Sequence, residues 1–131
     1  MGSTYERIAP LSRQDAIAEL AVSDDDRVCR TLVSIAMYDE DCQWVQSQLE
    51  RFATHPSRIV REVVATCYAH LGRLRETLDV ERALTVMTAL AQDADIKGHV
   101  EMMAEDAGFG LGIRIVWKRG RFVKQGRYKK R

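Results

Sequence analysis

The segment RVCRTLVSIAMY (residues 27–38) can be laid over RIVREVVATCYA (residues 58–69) with a shift of 31. Arg27 then meets Arg58, Arg30 meets Arg61, Leu32 meets Val63 and Val33 meets Val64. A third stretch, DADIKGHVEMMAEDA (93–107), repeats the apolar rhythm more loosely at a shift near 37. Apolar residues three and four apart mark one face of a helix. A period of roughly 30 to 40 residues with two helices per unit marks an α-solenoid, whose units bury their apolar faces only against one another. At least three units must stack, and three is what the chain holds.

The flanking sequence supplies the remaining helices and their ends. Ser12 caps a short helix with Ile17, Leu20 and Ala21 on its apolar face. Asp24, Asp25 and Asp26 give the next helix a cap and first-turn negative charge, ahead of Val28, Leu32, Ile35 and Ala36. Asp39, Glu40 and Asp41 open a third in the same way, with Val45, Leu49 and Phe52 as its stripe. His55-Pro56-Ser57 breaks the chain, and Ser57 caps a fourth helix carrying Ile59, Val60, Val63, Val64, Cys67 and Leu71, stopped by Gly72. Asp79 caps a fifth (Ala83, Leu84, Met87, Leu90), and Ile96, Val100, Met103, Ala104 and Ala107 form the sixth. The expected fold is all-α: a superhelix of three helix pairs over residues 1–112, with a basic extension over 113–131.

HPSRIVREVVATCYAHLG (55–72) resembles the second helix of a HEAT repeat, with Arg61 at the buried-arginine position. Together with DEDCQWVQSQLERFATH and LDVERALTVMTALAQDADIKGHVEMMAEDAG, it resembles small bacterial HEAT-like proteins over about residues 11 to 109. Some of those are immunity proteins of contact-dependent growth inhibition (CDI) and related toxin systems. The resemblance implies a HEAT-like fold and a protein partner, and says nothing of the basic extension.

Residues 1–112 hold 11 Lys and Arg against 19 Asp and Glu, a net of −8, whereas residues 113–131 hold 9 Lys and Arg and no acid. Such asymmetry bears on partners. Asp24, Asp25, Asp26, Asp39, Glu40 and Asp41 exceed what two helix caps use, and they suit a basic partner; the plain alternative is capping and dipole compensation. Trp44, among Gln43, Gln46 and Gln48, is either an interface anchor or a packing ring between repeats. Arg61 reads as structural, Arg58 and Tyr68 as looking outward, and His70 as a satisfied edge histidine. The expected partner surface therefore comprises the two acidic triplets with Trp44, Arg58 and Tyr68.

In the extension, GIRIVWKRGRFVKQGRYKKR, Trp117, Phe122 and Tyr128 interleave with the cations, a pattern suited to phosphate neutralisation and base stacking. Ile113 to Val123 alternate well enough for a hairpin turning near Arg119-Gly120. Trp117, Lys118, Arg119, Arg121 and Phe122 thus form a second candidate contact. A solvated basic terminus and a clamp onto the acidic body are the other two readings.

Several functions are disfavoured. There is no Gly-rich phosphate loop, no His-Glu-x-x-His and no Gly-x-Ser-x-Gly. Cys29, Cys42 and Cys67, 13 and 25 residues apart, argue for reduced thiols, and the histidines fall at no zinc spacing with them. No catalytic residue, metal or cofactor is expected. No run of about 18 apolar residues exists, and MGSTYERIAP lacks the apolar core of a signal peptide, so a cytoplasmic location is expected. The function the resemblance implies is that of a non-catalytic immunity protein covering the active or substrate-binding face of a cognate toxin, expected to be a basic nuclease domain. The alternative is a nucleic-acid-binding or regulatory scaffold that uses the tail.

Overall fold

The computed structural model of the protein describes residues 8–127, so the readings made for the first seven residues and for Tyr128 lie outside the described residues. Six helices are followed by a β-hairpin: α1 (Arg13–Leu20), α2 (Asp25–Tyr38), α3 (Cys42–Phe52), α4 (Arg58–Leu74), α5 (Val80–Leu90), α6 (Lys97–Leu111), β1 (Ile113–Lys118) and β2 (Arg121–Arg127). The all-α expectation is met, with the hairpin as its small addition.

The caps are those the sequence marks. The side chains of Ser12, Asp24, Asp41 and Asp79 accept backbone N–H bonds from Asp15, Asp26, Trp44 and Arg82. Ser57 precedes α4 but makes no side-chain cap bond; His55 instead accepts from the Ser57 N–H at 3.0 Å. Gly72 does not stop α4, which continues to Leu74. Its role is steric. A Cβ at Gly72 would stand 2.5 Å from the Ala107 carbonyl oxygen, so only glycine lets α4 and α6 approach this closely.

The even helices form one layer: α4 packs most extensively on α6 and next on α2, while α3 rests on α2 and α4, and α5 on α4 and α6. Neighbours in this layer run parallel. Arg75, past the end of α4, donates to the carbonyls of Met37 and Asp39 at the end of α2. Likewise His99 near the start of α6 lies 2.9 Å from Thr66 of α4. The core between the layers contains Leu32, Ile35, Leu49, Val64, Leu71, Met87 and Val100, all essentially solvent-free. Three residues of the expected stripes are exposed instead: Ile17 and Ile59, at 53% and 64%, and Ala21, which caps the end of α1. Ile17 and Ile59 each sit beside the stripe rather than in it, since successive helical residues turn by about 100°.

The odd helices are fastened by polar side chains. Gln46, fully buried, donates to the Asp79 carbonyl at 3.1 Å and accepts from the Asp79 N–H at 2.8 Å. One turn on, Arg82 clasps Glu50 with two bonds of 2.8 and 3.0 Å and reaches Gln43 at 2.7 Å. Gln43 and Gln46 of α3 therefore belong to the α3–α5 joint.

The hairpin turns at Arg119-Gly120, with φ of 54° and 80°, as the alternation suggested. Both left-handed residues in a two-residue loop define the turn whose twist matches the strands. Lys118 pairs with Arg121, Trp117 with Phe122 and Val116 with Val123, with a bulge between Ile113 and Ile115. Strand β1 lies on α6 and β2 on α5, and Ile115 and Phe122 enter the same core as the helices.

Candidate protein-interaction surface

The loops before α2, α4 and α6 gather at one end of the even-helix layer. Here Asp24 spends its carboxylate on the N–H groups of Asp26 and Arg27, at 3.0 and 3.2 Å, while Asp26 lies 3.5 Å from Arg30. Asp25 is exposed and carries no ion pair among the described residues. Arg58 bridges Asp95 at 2.6 Å and Asp93 at 3.5 Å. Arg61 binds Asp93 at 3.0 Å and donates to the carbonyls of His55 and Pro56. Asp93 is held below the usual carboxylate range, first by the Asp95 N–H and then by Arg61. Arg61 is structural, as read; Arg58 is exposed, yet engaged.

The second triplet lies at the other end of the 14-residue helix α2, about 21 Å away. Asp39 and Asp41 take Arg13 at 3.0 and 3.6 Å, and the same guanidinium lies 4.2 Å over the ring of Trp44. Trp44 is half-buried against the core and Glu40 is exposed. The two triplets thus form two separate ends, each partly neutralised from within.

Tyr68 corrects the sequence reading. It has 0% exposure and sits in the core, so it cannot meet a partner. Its hydroxyl has no hydrogen-bond partner, and burial pushes its pKa well up, with Glu50 adding to the effect.

In the hairpin, Phe122 also corrects the reading: it is 5% exposed, its N–H donates to Thr88 at 3.0 Å, and Trp117 meets its ring edge-on at 4.8 Å. Trp117 is half-buried, with the Lys97 ammonium 4.8 Å from its ring. Of the aromatics read as stacking on bases, the two described ones, Trp117 and Phe122, are turned inward. Lys118, Arg119 and Arg121 are exposed at the tip.

A surface the sequence reading missed is the outward face of α4 and α6. Residues 8–11 cover part of α2, where Ser34 donates to the Ala9 carbonyl at 2.7 Å. Beyond that cover, Ile59 and Met102 stand 64% and 59% exposed. Glu105 and Asp106 are exposed nearby on α6 and Glu62 is half-buried on α4, none in an ion pair among the described residues. Apolar groups rimmed by charge characterise protein interfaces. The signal was available: Met102 falls outside the stripe Ile96, Val100, Ala104, Ala107.

Among the described residues, no group of three or more His, Cys, Asp and Glu is placed to hold a metal ion. The three cysteines are buried and unpaired. No described helix is long and apolar enough to cross a membrane.

No protein-family model matches the sequence, and no curated protein matches it. Among solved structures, the fold is similar to a chain in the crystal structure of a CDI complex from Cupriavidus taiwanensis LMG 19424. The TM-score is 0.73 at 23% identity, covering 82% of this chain and 97% of that one. At the level of fold, this bears out the resemblance to proteins of CDI systems.

Proposed function

We propose that this chain is a non-catalytic immunity protein, acting in the cytoplasm, that neutralises a cognate toxin, a basic nuclease domain, by covering its active or substrate-binding surface. The observation that carries this reading is the fold shared with nearly the whole of a chain from a CDI complex. The acidic character of residues 1–112 supports it, because a protein that holds nucleic acid presents cations, and opposite fields steer association. The three parallel helices and their outer partners also support reading the body as three HEAT-like pairs.

The contact surface proposed is the outward face of α4 and α6 with the acidic ends that flank it. Ile59 and Met102 supply apolar anchors; Glu62, Glu105 and Asp106 supply charge between Asp24–Asp26 at one end and Asp39–Asp41 with Trp44 at the other. A patch of about 800 Å² per partner, the common size for a stable complex, reaches across this span.

The test is co-expression with the toxin domain encoded beside this chain. Growth is expected only when the chain is present, and the two proteins should co-elute. No protection and no complex would sink the proposal. Charge reversal at Glu62, Glu105 and Asp106 should slow association and flatten its salt dependence; reversal without effect would move the interface elsewhere.

A further inference from the structure

The cations of the hairpin are arranged at a cost to the hairpin itself. Lys118 and Arg121 are directly opposed across the strands, and Arg119 stands beside them in the turn. Like charges directly opposite destabilise a strand pair. Arg119 also occupies a left-handed position, φ 54°, where asparagine or glycine is favoured. Neither feature helps the turn form. At the other end of the ribbon Arg114 is exposed on the same face, while Arg127 pairs with Ile113 and belongs to the other side. Among the described residues none of the four outward cations, Arg114, Lys118, Arg119 and Arg121, lies on a carboxylate, whereas Lys124, on the inward side, pairs with Glu81 at 2.9 Å. Glu81 shares the shallow recess lined by Arg121 and Phe122, and it is taken up by that pair.

From this arrangement we infer that the outward face of the hairpin binds the phosphate backbone of a double-stranded nucleic acid. The cations run the length of the ribbon: Arg114 and Lys118 are four strand residues apart, about 13 Å. A duplex presents a negative charge about every 1.7 Å along its axis, so such a row finds phosphates in many registers. Single strands are disfavoured because Phe122 and Trp117 are turned into the protein, leaving no platform for base stacking among the described residues of the hairpin. An acidic protein is disfavoured because the middle of this face offers only the half-buried Val116 and Val123, with no exposed ring or large aliphatic anchor. The inference concerns a surface apart from the α4–α6 face and does not depend on the immunity reading.

Fluorescence anisotropy with a short labelled RNA duplex, the matching DNA duplex, the single strand and polyglutamate tests it. Four phosphate contacts predict a loss of duplex affinity of about 150-fold between roughly 50 and 200 mM salt. The variant K118Q/R119N/R121Q should reduce the slope of log affinity against log salt by about 2.7. Its melting temperature should match or exceed that of the parent, which separates lost binding from lost folding. Either duplex bound in this way supports the site. No duplex binding at low salt overturns it, as does an unchanged slope in the variant. A single strand bound more than about tenfold tighter, or polyglutamate bound as tightly as the duplex, overturns it equally.

Discussion

Arg61 and Arg121 both lie at the rim of the molecule, one in the helical body and one in the hairpin. Arg61 is fixed by Asp93 and two carbonyls, and elsewhere in the body Arg13, Arg27, Arg30, Arg58, Arg82 and Lys97 each reach a carboxylate as well. Arg121 faces Lys118 and no acid among the described residues. The body sets most of its described cations on its own carboxylates, Arg51, Arg73 and Arg75 excepted, and it remains acidic because its carboxylates outnumber its cations. The hairpin adheres through Ile115, Trp117 and Phe122, and its outward cations are left over, Lys124 alone among its described cations pairing with a carboxylate, Glu81. Opposite charge in one chain produced one pair across this joint, Lys124 with Glu81, rather than a clamp; apolar burial fixes the hairpin and leaves most of its charge outside.

The largest expected effect tests that adhesion. Phe122→Ala removes the ring that anchors β2 on α5, at a cost of about 3 kcal/mol in urea unfolding. Trypsin should then cut first between Lys118 and Lys124. If cleavage in the hairpin is unchanged, charge rather than burial holds it.

Arg61→Ala comes next. It takes one donor from Asp93, which keeps the Asp95 N–H and Arg58, and leaves the carbonyls of His55 and Pro56 without the guanidinium, so about 2 kcal/mol of stability should go. A loss under about 0.5 kcal/mol would place this arginine with ordinary surface ion pairs and blur the contrast with the hairpin.

Much of this was readable beforehand, and the failures have physical causes. Helix starts were legible because Ser12, Asp24, Asp41 and Asp79 act through local bonds, three residues or fewer away. The turn at Arg119-Gly120 was legible for the same reason. Tyr68 was misread on its polarity, although its spacing from Val60 and Val64 puts it on the buried stripe; its hydroxyl is carried inside unpaired. Phe122 was misread because its partner is Trp117, and pairing across the strands sends both rings inward together. Asp39 and Asp41 looked surplus because Arg13, 26 residues from Asp39, reaches them only in the folded chain. The α4–α6 face escaped notice because exposure of Ile59 and Met102 depends on how layers stack.

A smaller effect separates the regions by pH. All three thiols belong to the body, and burial pushes Cys29 up to about 11, with Asp25 and Asp26 adding to the shift. Unfolded, the thiol ionises near its ordinary value of 9.0, so the unfolded state gives up its proton first. The stabilisation is therefore complete below about pH 9 and is lost as the pH climbs toward 11. Urea midpoints should fall across that window, and Cys29→Ala should fall less steeply. A midpoint that stays level to pH 11 would contradict the burial of these thiols.

The smallest effect has the opposite sign to ordinary mutational damage. Replacing Lys118 or Arg121 by glutamine removes a like-charge pair from the tip while leaving Phe122, Ile115 and the turn in place. The variant should match the parent or exceed it by up to about 0.5 kcal/mol, most visibly at low salt, where repulsion is unscreened. Salt should raise the melting temperature of the parent more than that of either variant. Two thermal melts per protein, at low and high salt, measure the difference. A destabilisation at low salt would mean that these cations find carboxylates after all, and the hairpin would then handle charge as the body does.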